Sequence, residues 1–166
     1  MTARRELEQY MKVWTLTRME EALKVKLTEE EKNAFFLCSG FESKMDMIQK
    51  AEPTIMHSTM MDANYSGNMR NDFKIQTFEV FFNAREPEFT DAEGLANALD
   101  RAQIMMEGFI KDMAEAQKEA KKNNTRGIER FVDCDNMRWD TAGPFGNGWE
   151  SISLFIPVTQ PFNYCK

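Results

Sequence analysis

The chain has 166 residues, 42% of them hydrophobic and 29% charged, which suits one globular domain over residues 1–166 and argues against global disorder. Its net charge of −6 and pI near 5.0 argue against sequence-independent nucleic-acid binding and leave room for a local basic patch only. No stretch approaches the roughly 20 consecutive apolar residues that a membrane-spanning helix needs.

The first residues place Arg4 and Arg5 ahead of no apolar run, so the expectation is an intracellular protein without a signal peptide. Leu7, Tyr10, Met11, Trp14, Val13 and Met19 recur at helical spacing and predict an N-terminal helix over about 4–25. Thr28 followed by Glu31 is a capping box, in which hydroxyl and carboxylate each serve one orphan N–H. The next stretch, "NAFFLCSGFESKMDMIQKA", reads either as the end of that helix or as a short buried strand, punctuated by Gly40.

Pro53 opens "PTIMHSTMMD", a short predicted strand with Ile55 and His57 on one face and Met56, Ser58 and Met60 on the other. The polar "ANYSGNMRND" after it predicts a turn or loop around Gly67. "FKIQTFEVFFNA" is the strongest strand signal. Phe73, Ile75 and Thr77 share one parity and Phe78, Val80 and Phe82 the other, which implies a bulge or a strand buried on different sides at its two ends. Thr90 with Glu93 is a second capping box, and beyond it Leu95, Leu99, Ala102, Met106, Phe109, Met113 and Ala116 form one apolar stripe. The stripe predicts a long helix over about 91–122, with acidic residues at its start and lysines at its end, as the helix dipole favours.

After a polar break, residues 131–166 read as a hairpin and tail. The first arm ends near Thr141, "AGPFGNG" supplies a long turn, and Ile152, Leu154 and Ile156 form the core face of the second arm. Pro157 and Pro161 then predict a stiff extended segment that leaves the sheet. The fold expected is α+β: an antiparallel sheet of about four strands covered by the long helix, with an additional N-terminal helix.

Residues with chemical potential are sparse. His57 is the one histidine, so it is the one candidate base for a Ser/His or Cys/His pair, and its neighbours suit a structural role. Asp133 and Asp135 fall on one face of the predicted strand and could hold a hard cation, but two carboxylates alone are a weak site, and Asp62 and Asp72 are equally available. Cys38, Cys134 and Cys165 stand far apart with no CxxC or Cys/His pair, so neither zinc nor a disulfide framework is expected. The expectation is no catalytic residue, no metal and no cofactor. Five aromatics near the last turn and the tail, Phe145, Trp149, Phe155, Phe162 and Tyr164, are candidates for a partner interface, since such residues dominate binding hot spots. The thirteen methionines fit either an adaptable core or protein–protein contact.

The order of "NAFFLCSGFESKMDMI", "EPTIMHSTMMD", "FKIQTFEVFFNA", "DAEGLANALDRAQIMMEGFIKDM" and "GWESISLFIPVTQPFNYC" resembles a known group. It is similar to the tail-terminator, tail-completion or neck-ring proteins of tailed bacteriophages, in the form found in Bacteroidetes phages and prophages, crAss-like phages included. The resemblance spans residues 33–165 and implies a structural virion component, without enzymatic activity, made in the host cytoplasm. Its partners would be copies of itself in a ring and the adjoining neck, portal-side or tail proteins, with no membrane and no sequence-specific nucleic acid. Two other classes stay open: a small intracellular enzyme with a pocket near His57, Asp133 and Asp135, and an adaptor that binds one protein without forming a ring.

Overall fold

The structure, a computed structural model, describes residues 1–40, 54–86 and 92–161. Helix α1 (Ala3–Thr17) starts where the Thr2 hydroxyl accepts the Arg5 N–H, and it buries Leu7, Met11 and Trp14 along one stripe. Val13 lies about 120° round the helix from Leu7 and is exposed, unlike the rest of the predicted stripe. The helix expected over 4–25 is broken at Arg18, and a second helix, α2 (Met19–Leu23), follows. Arg18 is pinned there by a two-pronged ion pair with Asp112, both contacts at 3.1 Å. Helix α3 (Glu29–Lys32) opens on the capping box predicted from Thr28 and Glu31. The second predicted box involves Thr90, outside the described residues.

The ambiguous "FFLC" is a strand, β1 (Phe35–Cys38), and it runs parallel to β2 (His57–Arg70). A parallel pair needs a long crossover connection, which residues 39–56 are long enough to supply. β2 corrects the sequence reading. The polar stretch expected as a loop continues as strand to Arg70, because a backbone ladder with β3 (Phe73–Arg85) does not depend on apolar side chains. The chain reverses at Asn71 and Asp72, with Asn71 at φ 46°. The irregularity lies in β2, not in β3. Met61 faces Val80 and Tyr65 faces Phe78, so Asp62, Ala63 and Asn64 stand against Glu79 alone. β3 pairs without a break with β5 (Trp149–Pro161), and its change of apolar parity reflects two opposite faces.

Helix α4 (Ala92–Asn123) covers β3 and β5, burying Ala102, Met106, Phe109 and Met113 of the predicted stripe. Leu95, Leu99 and Ala116 are half-buried at its margins. Gly108 lets α2 approach: a Cβ there would come within 2.7 Å of the Ala22 Cβ. Phe109 sits at the centre of the core, its ring 5.8, 5.4 and 5.5 Å from Tyr10, Trp14 and Phe82. Ile152 and Leu154 belong to this same core, whereas Phe73 does not reach it and is exposed.

The first arm of the predicted hairpin is mostly not a strand. Residues 128–130 and 134–136 are single 3₁₀ turns, Val132 makes one isolated bridge to Val158, and β4 (Arg138–Thr141) is the part that pairs with β5 as a strand. The sheet therefore has five strands in the order β1-β2-β3-β5-β4 and is mixed, not four-stranded and antiparallel. The α+β class, the long helix and the N-terminal helix stand as expected. β5 also stays in the sheet past its prolines, pairing Pro157 with Thr77 and Pro161 with Phe73. The Pro157 carbonyl accepts from Asp133 N–H and Thr159 N–H donates to the Phe131 carbonyl. Odd-numbered residues of β5 thus turn their backbone away from β3, and two prolines of that parity leave the β3 ladder intact.

Candidate functional site

His57 begins β2, and Glu31 binds it to the start of α3. One Glu31 oxygen faces His57 Nδ1 at 3.1 Å and accepts the Met56 N–H at 3.1 Å, while the other accepts the Thr28 N–H at 3.0 Å. Burial pushes the His57 pKa below its ordinary value, against the opposing effect of Glu31 and with help from Arg101. The imidazole is therefore neutral at pH 7 and donates from Nδ1 to Glu31, and its buried Nε2 has no partner among the described residues. This is a staple between two elements, built from a capping carboxylate.

The other candidates for chemistry do not join it. His57 shares a row with Ala84 and Glu150, whereas Asp133 sits beside Pro157, seven positions along β5 and roughly 24 Å away. Asp133 and Asp135 occupy a 3₁₀ turn and not one strand face, and Asp133 accepts from the Asn136 amide at 2.7 Å. Asp62 shapes the β2 irregularity by accepting the Asn64 N–H at 2.9 Å, and Asp72 is exposed in the hairpin turn. Cys38 is buried on the sheet and Cys134 is half-buried in the turn. Among the described residues no three His, Cys, Asp or Glu side chains gather to hold a metal ion.

The five candidate interface aromatics separate into three groups. Phe145 and Trp149 are 3% and 1% exposed, packed with Ala34, Cys38, Ile55, Met60 and Phe81 in a second core on the sheet face turned away from α4. The Phe145 N–H donates to the Trp149 carbonyl at 3.0 Å, and the Arg85 guanidinium lies 5.7 Å from the Trp149 ring. Side chains so covered by their own chain offer a partner no surface. Phe155 is half-buried on the same reverse face, with the Arg138 guanidinium 5.6 Å from its ring. Phe162 and Tyr164 lie outside the described residues.

Past Phe155 the reverse face changes character. β5 presents Phe155, Pro157 and Pro161 there, and β3 presents Phe73 opposite Pro161 and Ile75 opposite Thr159, with Thr77 and Glu79 opposite Pro157 and Phe155. Phe73 is 46% exposed and the others are half-buried. Two strands thus carry an apolar strip at the end of the sheet farthest from the second core. The sequence holds its signal, since the Phe73, Ile75, Thr77 parity is this face. No protein-family model and no curated protein sequence matches the chain.

Proposed function

We propose that the chain is a structural subunit that works by oligomeric assembly, as a head–tail joining or tail-terminator ring protein in the neck or tail of a tailed bacteriophage. The observation that carries this reading is the strip Phe155, Pro157, Ile75, Phe73 and Pro161 on the sheet's reverse face. Five half-exposed or exposed apolar side chains grouped at one end of a rigid ladder, with Thr77, Thr159 and Glu79 among them, suit a partner surface better than solvent. In sequence the strip is followed by Phe162–Lys166, which holds the candidate interface aromatics Phe162 and Tyr164. Phe155, Phe162 and Tyr164 remain proposed interface aromatics, and Phe73 and the aliphatic Ile75 join them in the proposed interface.

Ring assembly needs a heterologous contact, in which the strip of one copy meets a different surface of the next or of an adjoining neck protein. The test is a truncation at Pro161. Removing 162–166 leaves every described strand pair in place, so far-ultraviolet circular dichroism should be unchanged. Electron microscopy and light scattering should then show rings for the full chain and none for the truncated one. A truncated chain that forms the same rings removes the tail from the interface.

A further inference from the structure

A cleft of about 620 Å³ opens between the first turn of α1 and the outer halves of β2, β3 and β5, on the helix-covered side of the sheet. It runs against the charge of the whole molecule. In a chain of net charge −6, Arg5, Lys74 and Arg126 line it beside Arg4, which is paired with Glu8, and Glu6 is the one carboxylate among the described residues of its wall. Gln76 and Gln160 lie on the strand floor, with Tyr65 on the rim, 49% exposed.

Gln76 faces this cleft. It is 3% exposed, it lines the cleft, and its amide makes no side-chain hydrogen bond among the described residues. The amide stays open to the cleft, where a ligand can take over its hydrogen bonds from solvent. Gly67 stands opposite it in the ladder and carries no side chain to fill the space above. The start of α1 adds donors. Thr2 takes the Arg5 N–H on its hydroxyl and the Glu6 N–H on its carbonyl, which leaves the first N–H groups of the helix without an intrahelical partner beside the cleft.

We propose that this cleft binds a phosphate-bearing nucleotide unit, either free or at the end of a nucleic-acid strand. The volume falls within the usual range of small-ligand sites, about 300–1,000 Å³. Arg5, Lys74, Arg126 and the helix start match phosphate oxygens. The two glutamine amides, each both donor and acceptor, match the edge of a base, and the exposed Tyr65 ring offers it a stacking face. An acidic protein surface would engage the cations and leave the amides and ring unused. The site is separate from the apolar strip and does not depend on the assembly reading.

Calorimetric titration of the full chain tests it, with ADP in one arm and a short oligothymidylate in the other. Saturable binding of either probe supports the site: tighter ADP assigns a free nucleotide, and a tighter oligothymidylate assigns a strand. The double variant Arg5→Glu/Lys74→Glu should weaken binding by about a hundredfold, near tenfold per lost cation. Its melting temperature should stay unchanged, because neither side chain carries an ion pair among the described residues. Gln76→Met should weaken ADP more than pyrophosphate, since it removes a base contact only. The proposal fails if neither probe binds, if the double variant binds equally well, or if polyglutamate binds in place of both probes.

Discussion

The three central strands behave differently at their two ends, although one unbroken ladder joins Phe73–Pro161 to Arg85–Trp149. At the end near His57 both sheet faces are buried. Phe82 and Ile152 lie under the helices, and Phe81 and Trp149 lie in the second core behind them. A buried polar row crosses the same end: the Asn83 amide donates to Ser58 Oγ at 3.2 Å, and Ser151 Oγ donates to Asn83 Oδ1 at 2.6 Å. At the end near the hairpin turn, Tyr65, Met69 and Phe73 are exposed, and backbone pairing holds the strands with little side-chain packing. The lesson is that ladder continuity and packing are separable. One end provides stability, and the other keeps apolar surface free.

The contrast predicts where substitutions will be felt. Phe109→Ala opens a cavity under three aromatic rings and should cost about 3–5 kcal/mol in denaturant unfolding. A loss under about 1 kcal/mol would mean that the helix-covered face is not the main core. Asn83→Ala strands the Ser58 and Ser151 hydroxyls in a buried row and should cost about 1–3 kcal/mol. An unchanged denaturation midpoint there would show that water already reaches the reverse face.

The staple makes a smaller, pH-dependent contribution. Burial lowers the folded pKa of His57 from its ordinary 6.5, so the unfolded chain takes up this proton first as pH falls. That term is fully present above pH 6.5 and declines below it until the folded pKa is reached, where the loss is complete. Burial raises the Glu150 pKa above 4.5, which acts in the opposite sense, since the folded state then binds its proton more readily on acidification. His57→Gln should flatten the wild-type decline just below pH 6.5 and cost little at pH 7.5. An equal decline in both chains would assign the acid sensitivity to other groups.

Sequence legibility follows the same division. The α4 stripe could be read because Ala102, Met106, Phe109 and Met113 are spaced for one helical face, and burial of all four against a sheet is what that spacing encodes. The core arm of β5 could be read for the same reason at period two. The outer half of β2 could not, because Asn64, Ser66, Gly67 and Asn68 carry loop chemistry and its strand state comes from the β3 ladder. Neither the parallel partner of "FFLC" nor the interruption at Arg18 has a local signal, since one is set by β2 and the other by Asp112. For the candidate site, the aromatic types were informative and their direction was not. Phe145 and Trp149 flank a turn and point inward, and Phe73 and Ile75 look like core and lie on the open strip.

The claim that the open end is an assembly surface can be tested with little disturbance to the fold. Phe73→Lys/Ile75→Lys places two charges on the strip and leaves both cores untouched, so the folding stability should change by no more than about 0.5 kcal/mol. Light scattering across a concentration series should give a defined oligomer for the wild-type chain and a monomer for the double variant. A wild-type chain that stays monomeric throughout, or a variant that assembles as the wild type does, contradicts the account.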